Sequence, residues 1–333
     1  MENKRMAFIV VWFGDFPSYL NLFLQSASKQ RDFDFIFFAE NDKLPYSSDN
    51  IKFIKISFDE FNALAISRSI IESPIAYAYK LCDIKPAWFH ILEDYLPESK
   101  YDYIGYIDVD LVLGKINDFF SPTEIRTFDL CTITTEYISG AFTIMRNNSQ
   151  MRTLYRKARG WQYIFNSNHH FAFDEKLRFN GLSEDELFLI SSKYGPLQSY
   201  SDVVFESYRN KEINIKADKY IAYESLPKLI KYENGIVKDT ETGTNYIMFH
   251  FVGAKQNIFW TYPDWNLLPD SFFINRYGFY HFQPRQIISN ILNKKERRQV
   301  ISKFKKKLRT VIKLMITFDI QKIFTVVTNK TND

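Results

Sequence analysis

Asp108 and Asp110 stand one residue apart inside the run YDYIGYIDVDLVLGKI, residues 101–116. In an extended chain, residues two apart share a face, so both carboxylates project together while Val109 points the other way. Such a pair repels itself unless a cation lies between the two or one carries a proton. Among Ile, Val, Leu and Tyr side chains, uncompensated charges of this kind cost several kcal/mol. Two carboxylates offer hard oxygen donors to Mg²⁺ or Mn²⁺, ions that commonly complete their octahedron with phosphate oxygens of a substrate. The chemistry suggested is binding of a nucleotide or another diphosphate. The chain has 11 glycines but no G-x-G-x-x-G and no Walker sequence, which leaves the phosphates to the metal and to side chains.

The elements that must position the pair can be read from apolar patterning. Residues 6–13 (MAFIVVWF) form a continuously apolar strand of the kind buried on both faces of a parallel sheet, rather than a signal peptide. A helix over 16–29 and strands over 33–39 and 51–57 complete a βαβ pattern. Residues 58–99 read as mainly helical, interrupted at Pro74 and Pro86. A fourth strand, 103–107, carries the acids at its carboxyl end, where open α/β sheets gather their ligands. Strands at 128–135 and 140–147, a helix at 150–165 and a late strand at 245–253 follow. Between the last two, Ser183 and Glu186 form a capping-box pattern opening a helix that Gly195 closes.

Composition sets the class. The 333 residues are 46% hydrophobic and 25% charged, as in a folded α/β enzyme and unlike a disordered chain. Two cysteines, Cys82 and Cys131, are too few for a disulfide framework and match no zinc-ligand spacing, so a cytoplasmic setting is expected. No run reaches the eighteen or so apolar residues that span a bilayer. Of the net charge of +4, the segment 285–313 carries +10 and the last twenty residues are neutral, so residues 1–284 carry −6. The simplest partition is a catalytic domain at 1–284 and a basic tail at 285–333.

The segment YKLCDIKPAWFHILEDYLPESKYDYIGYIDVDLVLGKI resembles the helix, loop and D-x-D strand of the GT-A glycosyltransferases, in particular those of bacterial capsule, lipopolysaccharide and other surface polysaccharide synthesis. The first strand IVVWFG, the SGAFTIMRN strand, a downstream FDE and a late HFVGAK extend the resemblance from residue 8 to about residue 260. It implies a mixed, mainly parallel α/β sheet flanked by helices, and a metal-dependent, hexosyl-type transfer. The donor implied is a nucleotide sugar, UDP-linked, and the acceptor a glycan or lipid-linked glycan.

Carried onto this chain, the resemblance makes Asp110 a metal ligand and gives Asp108 the metal or the nucleotide ribose. His250 becomes the third ligand, its imidazole favouring Mn²⁺ over Mg²⁺. Val11, Trp12 and Phe13 would meet the nucleotide, and Lys80, Asp83 and Lys85 the donor phosphates or sugar. Lys255 would meet the diphosphate. It follows His250 by five residues, where related retaining enzymes have six and then Pro-Trp, so the stereochemical outcome stays open. Asp174 and Glu175 are the candidate catalytic carboxylates, as base for the acceptor hydroxyl or as a counter-charge to the sugar cation. Glu184, Asp185 and Glu186 are explained by the helix start, and His169 and His170 by an acceptor loop or packing.

Two other classes fit part of the pattern. A nucleotidyltransferase would share sheet and metal but normally has a glycine-rich first loop. A non-catalytic glycan- or membrane-binding protein would keep fold and tail without needing the acids. In the tail, Val300, Ile301, Phe304, Leu308, Val311, Ile312 and Met315 recur at helical spacing among lysines and arginines. A basic amphipathic helix over 285–316 would lie on an anionic membrane surface, placing the protein peripherally on the inner face of the plasma membrane. The acidic body argues against nucleic acid as the partner.

Overall fold

The computed structural model describes residues 5–217, 221–284 and 295. Its contacts divide the chain into two units, Met1–Phe279 and Tyr280–Asp333. The fold described here is that of the first; the proposed tail helix lies, apart from Lys295, outside the described residues.

The apolar runs become strands. β1 (Arg5–Trp12), β2 (Phe33–Ala39), β3 (Ile51–Lys55) and β4 (Tyr101–Ile107) pair in parallel in the spatial order β3-β2-β1-β4. After a short β5 (Leu111–Leu113), the strands β6 (Leu130–Thr132), β7 (Phe142–Arg146) and β8 (Ile215–Ala217) extend the sheet to seven, β3-β2-β1-β4-β7-β6-β8. β7 runs antiparallel to both β4 and β6, while β6 and β8 are parallel. This is the mixed, mainly parallel sheet flanked by helices that the sequence led us to expect.

β1 shows why the run had to be apolar throughout. Ala7, Ile9 and Val11 face a helical layer containing Phe61, Trp88 and Tyr155. Met6, Phe8 and Val10 face the opposite way, onto Leu20, Phe23 and Leu24 of the helix Leu20–Ala27. Phe8 is fully buried, with ring centroids of Phe142, Phe33 and Phe35 at 4.8, 5.5 and 5.7 Å.

Beyond residue 217 the chain is richer in β-structure than its sequence suggested. β9 (Ala222–Tyr223), β10 (Ile230–Glu233), β11 (Ile236–Asp239), β12 (Asn245–Tyr246), β13 (Met248–His250), β14 (Ser271–Asn275) and β15 (Gly278–Tyr280) form two small sheets, β5-β13-β9 and β12-β11-β10-β14-β15. The strand expected at 245–253 is therefore split, ending at His250. A third core, with Val112, Tyr232, Phe249 and Phe272, lies among these strands.

Helices are shorter than their apolar periodicity implied. Residues 58–99 give the helix Phe58–Ser67, capped by Ser57 and Glu60, then single turns up to Tyr95. The helix expected at 150–165 is broken over 158–160, where Ala158 is extended and Gly160 is left-handed with φ of +75°, and resumes as Trp161–Asn166. The helix Glu184–Tyr194 has the expected Ser183 and Glu186 capping box and ends at Gly195. Among the described residues, no helix is long and apolar enough to cross a membrane.

Candidate active site

β4 ends at Ile107, and Asp108, Val109 and Asp110 form a bend leading into β5. The strand-pleat argument for pairing the two carboxylates therefore does not apply. What brings the acids to a common point is a neighbouring strand. β13 pairs antiparallel with β5, setting His250 opposite Leu111, and the Phe251 N–H donates to the Asp110 carbonyl at 2.8 Å. His250 Nε2 then lies 3.2 Å from Asp110 Oδ1 and 4.0 Å from Asp108 Oδ2. One ligand atom from each of Asp108, Asp110 and His250 falls within 4.8 Å of the others, a donor set of two carboxylates and an imidazole that fits a divalent cation.

The electrostatics match that crowding. One turn beyond β13, Lys255 Nζ sits 2.5 Å from Asp110 Oδ2. Burial alone would raise the Asp110 carboxyl, but the His250 hydrogen bond and the charges of His250 and Lys255 hold it below the usual carboxylate range. Burial works against the His250 imidazolium too, yet hydrogen bonds to Asp110 and Glu224 push its pKa up to about 10.

Lys85 links this point to the second acid pair. Its Nζ donates to Asp108 Oδ1 at 2.7 Å and to the Gly140 carbonyl at 3.0 Å, with Asp174 Oδ2 at 3.6 Å. The Gly140 N–H donates to Glu175 Oε1 at 3.0 Å. A Cβ at Gly140 would come within 2.3 Å of Asp174 Oδ2, so any larger residue there would displace that carboxylate. Burial pushes the Asp174 carboxyl well up despite the pull of Lys85, and it raises Glu175 over the opposing Gly140 hydrogen bond. Carboxylates of raised pKa are better proton acceptors than exposed ones.

Lys80 and Asp83 are not brought to this point. They pair with each other at 2.7 Å, 2% and 0% exposed. Lys80 also donates to the carbonyls of Ile164 and His169, and Asp83 accepts from the N–H groups of Phe171 and Phe173. They lock the loop that leads to Asp174. His170 packs against Tyr79, with ring centroids 4.7 Å apart and planes tilted by 52°.

Val11, Trp12 and Phe13, at the carboxyl end of β1, line a cleft of about 270 Å³ with Tyr79, Cys82, Lys85, Trp88 and Asp108. From β1 the sheet grows one way to β2 and the other way to β4, so the cleft opens at the point where strand order reverses. Burial pushes the Cys82 thiol up to about 12, leaving it a thiol and not a nucleophile near neutral pH.

One residue escaped the sequence reading. Glu224 Oε1 lies 2.8 Å from His250 Nδ1, on the side of the ring away from the two aspartates. No spacing or motif announced it, because the pairing of β9 with β13 that brings it there is a tertiary event.

A family model described as "Family of unknown function (DUF6625)" matches residues 8–309. The chain belongs to that family. No curated protein sequence matches this DUF6625 chain. Solved structures similar to it include the galactosyltransferase LgtC in complex with donor and acceptor sugar analogs and an active-site mutant of LgtC. Each is 11% identical with a TM-score of 0.33, over 66% of the DUF6625 chain and 75% of the other. The apo-form glycosyltransferase GlyE of Streptococcus pneumoniae TIGR4 is 7% identical with a TM-score of 0.32, over 67% of the DUF6625 chain and 47% of that chain. These likenesses are loose and assign no activity to the chain.

Proposed function

We propose that this DUF6625 protein is a metal-dependent GT-A glycosyltransferase that moves a sugar from a nucleotide sugar, UDP-linked in the first instance, to a glycan or lipid-linked glycan acceptor of surface polysaccharide synthesis. The observation that carries the reading is the meeting of Asp108, Asp110 and His250 beside a cleft at the strand-order reversal of the sheet. Asp108, Asp110 and His250 would hold the ion, which would supply Lewis-acid stabilisation of the departing diphosphate.

The chain's own residues divide the remaining work. Val11, Trp12 and Phe13 offer apolar surface to the base and ribose, and Lys255 offers a cation to the diphosphate. Lys85 is fully engaged by Asp108, Gly140 and Asp174, so it orients the acids instead of reaching a phosphate. Asp174 and Glu175, raised in basicity by burial, take the acceptor proton or balance positive charge at the anomeric carbon.

The test is nucleotide release from a panel of nucleotide sugars, with Mn²⁺ and then with a chelator. Release from at least one donor that stops on chelation is expected. Binding and turnover of no donor under any metal condition would remove the enzyme reading. Pyrophosphate release from a nucleoside triphosphate and sugar phosphate would favour a nucleotidyltransferase instead.

A further inference from the structure

We propose that Glu224 is a positioning residue, fixing the orientation of His250 so that Nε2 faces Asp108 and Asp110. The inference rests on the metal-dependent reading above and adds to it a residue from a different part of the chain.

The register of two strands explains the contact. β9 and β13 are parallel, with Ala222 beside Met248 and Tyr223 beside Phe249. One residue past the end of β9, Glu224 meets His250, the last residue of β13. A carboxylate only accepts hydrogen bonds, so at 2.8 Å from Glu224 Oε1 the nitrogen Nδ1 must be the donor. When the ring is neutral, its single lone pair is then on Nε2, the atom 3.2 Å from Asp110 Oδ1. An imidazole free of such a partner would divide its proton between two nitrogens and its ring between two orientations, and a carboxylate behind the ring also raises its strength as a donor.

A second attachment holds the same two segments together. A Cβ on Gly253 would come within 2.7 Å of the Glu224 carbonyl oxygen, so the turn after His250 is pressed against the Glu224 backbone. The His250 side chain is 8% exposed and that of Glu224 is 34% exposed. Glu224 is thus reachable by water, not locked into a dry structural ion pair, and its removal need not collapse the fold.

The test is titration of the full chain with Mn²⁺ and with Mg²⁺ by calorimetry, for the wild type, Glu224→Gln, Glu224→Ala, His250→Ala and the double variant. Glu224→Ala should weaken Mn²⁺ binding by roughly 10- to 100-fold. It should affect Mg²⁺ less, because the nitrogen ligand favours Mn²⁺. Glu224→Gln, whose amide oxygen still accepts from Nδ1, should fall between. The double variant should bind no more weakly than His250→Ala alone, because Glu224 acts through the imidazole. Undiminished Mn²⁺ affinity in folded Glu224→Gln and Glu224→Ala would overturn the proposal. So would a Glu224→Ala loss that persists in full in the His250→Ala background, since that marks a plain charge effect. Wild-type protein that binds neither metal would overturn the metal reading itself, and this inference with it.

Discussion

Each oxygen of Asp110 has a cationic partner. Its two oxygens are taken by His250 Nε2 and by the Lys255 ammonium, which stands where charge balance needs a cation. A divalent ion at Asp110 has to compete with Lys255, and a diphosphate arriving with that ion would give Lys255 a new partner. Lys255→Gln should therefore tighten Mn²⁺ binding without nucleotide. The gain should be on the order of tenfold, a modest figure because the Lys255 side chain is 40% exposed and screened by water. The same change should weaken UDP binding in the presence of Mn²⁺. Calorimetric titrations check both, and equal Mn²⁺ affinity for the two proteins would refute the competition. Of this site, Asp108, Asp110, His250 and Lys255 were legible as residue types within recognisable motifs. Glu224 was not, because a lone glutamate in AYESLP has no periodicity or spacing to mark it.

At the scale of elements, the site depends on segments whose own contacts are buried and polar. The Lys80–Asp83 pair fastens the stretch Phe171 to Phe173, directly before Asp174 and Glu175. Removing one partner strands the other charge in the interior, so Asp83→Ala should destabilise the protein by about 3–5 kcal/mol. Chemical denaturation followed by circular dichroism measures this, and an unchanged midpoint would mean that the pair is dispensable. The sequence assigned Lys80, Asp83 and Lys85 to donor contacts as one group. The fold separates them: Lys80 and Asp83 pair with each other and hold a loop, while Lys85 meets Asp108 and Asp174. Strand positions were read well where apolar runs were buried on both faces. Of the β-structure after residue 217 only the stretch 245–253 was anticipated, the other strands being two to five residues long and half-exposed in places.

At the scale of the whole molecule, charge is distributed unevenly, with +10 over 285–313 against −6 over 1–284. If the tail is an anchor, each basic residue near an anionic surface contributes about 1 kcal/mol. The full chain should then co-sediment with vesicles of phosphatidylserine and phosphatidylcholine at low salt, and a chain ending before Ile287 should stay in the supernatant. Retention of the shortened chain on the vesicles would assign membrane binding to another surface.

By itself the sequence determined the α/β class, the early strands and the D-x-D pair at a carboxyl edge. Continuous apolar runs and capping residues act locally, through burial and backbone hydrogen bonding, and local effects can be read along the chain. The resemblance already places His250 beside the acids; the tertiary structure decided that Asp108 and Asp110 meet in a bend, that the pairing of β5 with β13 is what spans the 140 residues to His250, and that Glu224 stands behind the ring. These contacts are between residues far apart in the chain. The pairing of short strands sets them, and nothing in the spacing of the residues themselves does.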